Sequence, residues 1–551
     1  MKVKLPLPLL LAVQLVVSLP AQAQRVQLPH EIVRDSDNKV LAWYKPEIPG
    51  AAYAKVAGLA AGFLKSVPVE PQSGLKLYMV HADFRGPNQD PGYSQGTSGT
   101  NWMANPACVF AGFVQSLAVD YRAFSGDDAC LDIVRECLDQ MLERGTTPAD
   151  WLWPNCPYAS ADPRNRIYQG ATKWEDEGRG DGLHCIEPDK VGELGIGYLK
   201  FYEIVGDGKY CRAAIDCADA LAQNVRDLAA DTNRFAQDFP GGSPWPFRVN
   251  ARTGEVIDDY TSNVVEAVRL FDELLRISDV IDLDSARADA FTRARKIAWD
   301  WLFAKNGPMK TYVWNGYFED IPSDPACQNR VQITPLETAR YILKHPEYDP
   351  EWKTSVPALL YWVAGAFATD GMDAIKEQTW CYAPMGSHTA RYASVCALYY
   401  EKTGEERFKE EAFRFFNFAT YMCEPNGYVW VGPGWPTAWF SDGYGDYIRH
   451  FIEGLGAVPE WAPAGENHLL RSSSVVQKIS CGPDSIYYKT FDNRATDVFR
   501  LGGRPREITV NGSVLNESTN PAGQGWTWEE LDQGGVLRIM RENGSEVKIS
   551  I

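Results

Sequence analysis

Phe201-Tyr-Glu-Ile-Val-Gly-Asp-Gly-Lys-Tyr210 has two counterparts in the chain, Asp120-Tyr-Arg-Ala-Phe-Ser-Gly-Asp-Asp-Ala-Cys130 and Leu398-Tyr-Tyr-Glu-Lys-Thr-Gly-Glu-Glu-Arg-Phe408. Each places an aromatic residue, then a Gly-centred turn, then an acidic start to a new helix. A Gly that ends a helical run takes the left-handed position after its last turn. Asp or Glu that follows sits at the positive end of the next helix. The three segments are therefore predicted as tight αα-hairpins, and looser versions join 270–277 to 285–302 and 335–343 to 351–367. The first helix of each hairpin is apolar and rich in small residues, as in Val191-Gly-Glu-Leu-Gly-Ile-Gly-Tyr-Leu199. The second carries charge on one face, as in 207–227 and 405–421. A helix of the first kind packs on several neighbours, and one of the second kind faces water, so an inner and an outer ring are expected.

Inner helices are predicted to begin near Met103, Asp189, Thr261, Ile333, Ser387 and Gly443, and outer ones near Asp127, Gly208, Ser285, Glu351 and Glu405. The helix at 443–455 lacks a partner, and an early helix at 51–64 supplies one. The expectation is a mainly α fold, an (α/α)6 toroid of six helical hairpins. Beyond about Glu460 the texture changes to short β-rich segments broken by Gly, Asn and Pro, with Asn511-Gly512 a hairpin-turn signal. A small antiparallel β domain is predicted there. At the other end, Lys2 and Lys4 precede an apolar run over 5–19 and the small-x-small site Ala21-Gln22-Ala23. That run is too short for a membrane span and reads as a signal peptide cut before Gln24. The expected organisation is a signal peptide over 1–23, a catalytic toroid over 24–460 and a β domain over 461–551, in an exported, secreted or periplasmic protein.

The helix count, the repeated Tyr…Gly-Asp/Glu turns and the trailing β segments resemble the six-hairpin glycosidase superfamily, over roughly 48–460. That superfamily holds glycoside hydrolases and polysaccharide lyases, and the exported uronate-acting members, glucuronidase-like hydrolases among them, look nearest. The resemblance implies a carbohydrate substrate. It supplies no catalytic motif residue by residue, so the site is argued from the residues themselves.

Composition narrows the function classes. With 45% apolar and 23% charged residues the chain can bury a core and is not disordered. Its formal charge, 54 basic minus 72 acidic residues or −18, disfavours nucleic acid as a partner. Aromatic residues make up 12%, with 18 Trp, which suits stacking on sugar rings. Of 12 cysteines, Cys108, Cys130, Cys137, Cys211, Cys217 and Cys396 lie in apolar-periodic helical patterns and read as buried thiols. One or two bridges remain open among Cys156, Cys185, Cys327 and Cys381. There is no CxxC and no HExxH, so no metal is expected, although the acidic loop 174–184 leaves calcium open without an EF-hand spacing. No Walker loop and no GxGxxG opening a βαβ unit occur, so no cofactor is expected.

Short turns join each inner helix to its outer partner, whereas the links back are long and rich in Trp, Asp, Arg and Gly. The long links gather above the inner-helix N-termini, where function is expected. Six entrances carry candidate groups: Trp102; Glu187 and Asp189; Tyr260 and Asn263; Arg330; His388 and Arg391; and Asp442, Tyr444 and Asp446. Pro188 fits the first helical position, so Glu187 is predicted as the N-cap, and capping accounts for Glu187 and Asp189 as readily as catalysis does. On the catalytic account, Glu187 or Asp189 and Asp442 or Asp446 are the paired carboxylates that flank a glycosidic bond. His388 is a further acid or base, and it shares a helix face with Arg391. Arg179, Arg330 and Arg391 are carboxylate partners by residue type, and Trp314 and Trp435 are sugar-stacking walls. Three functions are expected in turn: hydrolysis of a uronate-bearing oligo- or polysaccharide, β-elimination at a uronate by a lyase, and glycan binding without catalysis. Oligomeric state is left open.

Overall fold

The computed structural model describes residues 27–69, 74–80, 105–159, 183–226, 242–259, 262–316, 328–380, 384–434, 442–520 and 523–551. Its principal helices are α1 (Ala51–Lys65), α2 (Pro106–Phe113 and its continuation), α3 (Ala129–Arg144), α4 (Pro188–Val205), α5 (Gly208–Gln223) and α6 (Val264–Arg276). Then follow α7 (Ser285–Phe303), α8 (Ile333–Lys344), α9 (Trp352–Phe367), α10 (Gly386–Thr403), α11 (Glu406–Thr420) and α12 (Asp442–Ala457). Helix α2 widens into a π-helical stretch, Val114–Tyr121, and ends in the turn Arg122–Ser125. Gln115 Nε2 donates to both carboxylate oxygens of Asp120 at 3.0 Å. That is a pairing five residues apart, which suits the π repeat.

The even-numbered helices pack each on the next, α2 on α4, α4 on α6 and so on to α12, which returns to α2. The odd-numbered ones lie outside them: α3 on α2, α5 on α4, α7 on α6, α9 on α8, α11 on α10 and α1 on α12. This is the expected (α/α)6 toroid, closed by the early helix α1. The hairpin turns form as the sequence predicts. Gly206, at φ 75°, caps α4 through Tyr202 O, and the Asp207 side chain receives Lys209 N–H at the start of α5. Small residues let the inner helices approach closely. A Cβ on Gly192 of α4 would lie 2.7 Å from Ala267 N of α6, and one on Gly445 of α12 would lie 3.0 Å from Gly112 C of α2. The seam that closes the ring is thus glycine on glycine.

Among the helices lie the short strands β1 (Cys185–Ile186), β2 (Arg248–Asn250), β3 (Val256–Asp258), β4 (Ile375–Lys376) and β5 (Pro384–Met385). After α12 the chain forms antiparallel strands: β6 (His468–Ser472), β7 (Val476–Cys481), β8 (Ser485–Thr490), β9 (Ala495–Leu501) and β10 (Glu507–Val510). They are followed by β11 (Ser513–Val514), β12 (Gly525–Glu530), β13 (Gly535–Arg541) and β14 (Glu546–Ser550). One sheet has the order β11-β10-β14-β8-β7 and the other β12-β13-β9-β6. Alternating inward residues such as Leu469, Ile486, Phe499, Leu537 and Ile549 fill a core of their own. This β region docks on the C-terminal ends of the inner helices. Buried Arg122, at the end of α2, donates to Val476 O and Gln477 O at 2.8 Å each, and Gln477 Nε2 reaches Glu203 O of α4 at 2.9 Å. Arg276 at the end of α6 pairs with Asp492 at 2.7 Å, and Arg471 pairs with Glu401 of α10. The far end of the ring is therefore covered, and the inner-helix N-termini line the other.

Cys130, Cys137, Cys156, Cys211, Cys217, Cys396 and Cys423 are buried thiols without a bridge. This answers the question for Cys156, and Cys327 and Cys381 lie outside the described residues. Among the described residues no helix is long and apolar enough to cross a membrane.

Candidate active site

At the inner-helix N-termini a short antiparallel sheet, β1 (Cys185–Ile186), β2 (Arg248–Asn250) and β3 (Val256–Asp258), brings Arg248 against the start of α4. Glu187 is the N-cap residue, as predicted, yet its side chain does not cap. Its Oε1 accepts from Arg248 Nε at 2.9 Å and its Oε2 from Asn105 Nδ2 at 3.3 Å, in a site only 2% exposed. Asn105 is itself the N-cap of α2. Glu187 thus ties α2, α4 and β2 together, and both of its oxygens accept hydrogen bonds from neighbouring side chains.

The groups beside it are different. Asp189 is 3% exposed; its Oδ1 accepts from Lys190 N at 2.9 Å, the backbone N–H of Asn263 also faces the carboxyl, and its Oδ2 makes no well-formed hydrogen bond among the described residues. Burial pushes its carboxyl above the usual range against the opposing charge of Lys190. Asn263, the N-cap of α6, directs Nδ2 to Glu266 Oε1 at 3.5 Å and leaves Oδ1 unpaired. Gln332, the N-cap of α8, donates Nε2 to Glu377 O at 3.4 Å and leaves Oε1 unpaired. His388, in the first turn of α10, has Nδ1 3.0 Å from Arg391 Nη1 and an unpaired Nε2. A guanidinium only donates, so Nδ1 accepts and the neutral ring carries its proton on Nε2, a tautomer assigned from this contact. Burial, reinforced by Arg391, holds the imidazole well below its ordinary pKa, so it stays neutral.

Four consecutive inner helices, α4, α6, α8 and α10, therefore each present at their first turn a buried polar atom without a partner among the described residues. Folded proteins pair nearly all such atoms, and each exception calls for a ligand, a water or a functional reason. Deeper along the ring axis lies a cluster of buried charges, in which His450 Nε2 is also without a hydrogen bond among the described residues. Glu337 receives Arg391 Nε at 3.0 Å, Arg340 Nε at 3.1 Å and Arg449 Nη2 at 3.3 Å. Burial alone would raise the Glu337 carboxyl, but the surrounding guanidiniums of Arg340, Arg449 and Arg391 outweigh it and hold it well below the usual range. Arg391 also binds Asp446, and Arg340 binds Glu453 and, at 3.2 Å, His450 Nδ1. Glu193 lies one turn below Asp189 on α4, bonded to Lys190 at 3.1 Å. Burial raises its carboxyl, Lys190 opposes, and nearby Glu266 and Asp446 add to the rise, so that it is pushed up to about 7.

Several expectations change accordingly. Arg391 already binds Glu337 and Asp446, so it clamps His388 and is not a fork held open for a substrate carboxylate. Arg330 Nη1 is engaged by Asn315 Oδ1 at 3.1 Å and Asn329 O at 2.9 Å. Trp314 is fully buried in the core, not a wall of the mouth. Tyr444 is also a core ring: it stacks on Phe63 at 5.5 Å, and its hydroxyl accepts from Val429 N. Trp102, Arg179, Tyr260 and Trp435 lie outside the described residues, as does the side chain of Asp442. Glu193, Gln332, Glu337 and His450 belong to the site or its floor and were not singled out from sequence. The available signal was a lone charged residue inside an otherwise apolar inner-helix run, as in Val191-Gly-Glu-Leu-Gly195. Among the described residues no group of three His, Cys, Asp or Glu side chains could hold a metal ion.

No family model and no curated protein matches the chain. Among solved structures it is similar to a D-mannose isomerase, with TM-score 0.48 and 10% identity over 73% of this chain and 97% of that one. A cellobiose 2-epimerase from Spirochaeta thermophila gives 0.45 and 12% over 64% and 85%. An unsaturated glucuronyl hydrolase specific for heparin gives 0.42 and 10% over 73% and 97%. These likenesses concern fold and assign no activity; the ring assignment rests on the helix contacts above.

Proposed function

We propose that the chain is an exported carbohydrate-active enzyme that hydrolyses a glycosidic bond at the N-terminal mouth of its helical ring. The observation that carries the reading is the set of four unpaired polar atoms on α4, α6, α8 and α10, beside carboxyls whose proton affinity is raised. A sugar presents neighbouring hydroxyls that both donate and accept, which matches an N–H, two amide ends and a carboxyl. Asp189, which keeps its proton more readily than an exposed carboxyl, protonates the leaving oxygen. Asp446 is the second carboxylate and takes a proton from the attacking water. His388 donates Nε2–H to a substrate oxygen. That the substrate carries a uronic acid rests on analogy of fold alone. β-Elimination is less well supported, because a His388 protonated on Nε2 has no lone pair there with which to take the C5 proton.

The test is incubation of the purified protein with neutral and uronate-bearing oligosaccharides, with products read by mass spectrometry. Saturated sugars carrying one added water are expected, and Asp189→Asn should lower kcat by about a hundredfold or more. An unsaturated product, or an Asp189→Asn variant as active as the wild type, would sink this reading.

A further inference from the structure

We infer that a hollow on the outer wall of the ring is a second saccharide site, one that takes a sugar bearing a carboxylate. The hollow has a volume of about 570 Å³ and lies over one face of α11, where Glu410, Arg414 and Phe418 follow one another at one-turn spacing. Two hairpins wall it. On one side the chain doubles back over 33–41, with Asn38 at φ 65° in the turn and Arg34 bridged to Val40. On the other it doubles back over 368–375 through Gly371 at φ 75°, with Ala368 bridged to Ile375. Both walls are fixed. Val40 O receives Asn417 Nδ2 at 3.2 Å, and Leu41 O receives the Tyr421 hydroxyl at 2.8 Å. Lys39 pairs with Glu410 at 2.6 Å and Asp373 pairs with Arg414, so each hairpin also meets the helix beneath it. Every residue that lines the hollow is among those described.

The lining chooses the ligand. Of its charged side chains, Arg34, Lys39 and Arg414 are cations, and Asp373 and Glu410 are anions. The two ion pairs leave Arg34 over. Its Nη1 donates to Asn38 O at 2.7 Å, and it has no carboxylate partner among the described residues. Asp35 of the same hairpin turns its Oδ1 to the N–H groups of Asp37 and Lys39 and is not part of the lining. Arg414 spends Nη2 on Asp373, and its other donors make no hydrogen bond among the described residues. Two guanidiniums with unspent donors and one unbalanced positive charge suit a carboxylate. A bare ion would leave the space mostly water, because 570 Å³ is many times the roughly 30 Å³ of a water molecule. It lies within the range of small-molecule sites, about 300–1,000 Å³. Buried Val40 and Phe418 and half-buried Met372 offer an apolar patch to the C–H face of a sugar ring, while Asn38 and Glu410 offer oxygens to its hydroxyls. The site lies toward the mouth end of the ring: two residues after Asp373, Ile375 N donates to Thr389 Oγ1 at 3.0 Å, in the first turn of α10. An acidic glycan held there is kept near the mouth without occupying it, which raises its effective concentration.

The experiment is calorimetric binding to the full chain carrying Asp189→Asn, which leaves the outer wall untouched. The probes are trisaccharides of galacturonic, mannuronic and glucuronic acid, their neutral counterparts, and acetate. At least one uronate trisaccharide should bind about tenfold or more tighter than its neutral counterpart. Arg34→Gln and Arg414→Gln should each weaken it about 10- to 100-fold, the loss expected of a charge-assisted hydrogen bond. Arg34 is exposed, so its replacement leaves the fold intact, and Arg34→Lys, which keeps the charge without the fork, should recover part of the affinity. Arg407→Gln, on α11 but outside the hollow and paired with Glu405, should leave binding unchanged. Neutral trisaccharides that bind as tightly, acetate that binds as tightly, or binding of no probe would overturn the site. Uronate binding that survives both Arg34→Gln and Arg414→Gln would overturn it too and place that binding at the mouth. None of these outcomes depends on hydrolysis.

Discussion

Glu337→Gln removes one charge and almost no volume, so it tests the axial ion cluster directly. The carboxylate receives Arg391, Arg340 and Arg449, at 3.0, 3.1 and 3.3 Å, and is 5% exposed. Removing the anionic partner of a buried pair costs about 3–5 kcal/mol, because the cations stay buried. A cooperative unit of about 400 residues unfolds with an entropy near 0.85 kcal/mol/K, so a loss of about 4 kcal/mol lowers Tm by about 5 °C. The control is Asp300→Asn, which breaks the exposed pair with Lys296 on α7, 61% and 71% exposed. An exposed helical pair is worth about 0.5 kcal/mol at most, under 1 °C on the same scale. The sign with pH follows from the depressed carboxyl. A folded pKa below the unfolded value gives stability that is present above the unfolded pKa and lost as pH falls through the folded one. The Glu337→Gln penalty should therefore be flat from pH 5 to pH 8. Scanning calorimetry of both variants decides the matter. A Glu337→Gln Tm within 1 °C of wild type would refute the idea that the three guanidiniums depend on this carboxylate.

Further outcomes follow from the same geometry. Since Glu193 is pushed up to about 7, activity that needs its proton should fall as pH rises through that value, and Glu193→Gln should remove this limb of the kcat/KM profile. Folded Glu193 binds its proton more tightly than the unfolded chain does. Wild-type stability should thus fall from about pH 5 to pH 8 by more than that of Glu193→Gln in paired urea melts. His388→Asn keeps an amide oxygen where Nδ1 meets Arg391 but withdraws the Nε2 donor, so kcat should drop about 100- to 1000-fold. His388→Gln, which restores a donor there, should recover part of it in the same assay. Gly445→Ala puts a Cβ 3.0 Å from Gly112 C, and overpacking of about 1–3 kcal/mol exceeds the roughly 1 kcal/mol gained in helix propensity. Its melting point should fall, whereas Gly365→Ala on α9, with nothing within 4 Å, should raise it.

The ring was legible because its determinants are local. A left-handed Gly after a helix and an acidic residue before the next one are decided by a few neighbouring residues, and Gly206 with Asp207 sits as they require. The alternation of Gly-rich and amphipathic helices reports burial directly, so inner and outer helices separate by eye. The site was half legible for the opposite reason. Residue type and helix position marked Asp189, Asn263 and His388, but partners from distant segments decide what a group can do. Arg248 lies 61 residues from Glu187 and occupies it, and Asp446 lies 55 residues from Arg391 and neutralises it. Trp314 and Tyr444 share their residue types with sugar-stacking walls, and only their burial distinguishes them.

The charged axis itself carries a functional argument. A ring of this kind could fill its centre with apolar side chains, and replacing buried ion pairs by well-packed hydrophobic groups is often neutral or stabilising. Stability alone therefore does not account for Glu337, Arg340, Arg391 and Arg449 at the centre. What they supply is orientation. Glu337 and Asp446 fix the Arg391 guanidinium, and that guanidinium, able only to donate, fixes which nitrogen of His388 carries the proton. Asp446, held by Arg391, also lies 3.7 Å from His450 Nε2. One cluster thus holds the donor and the second carboxylate in a single geometry.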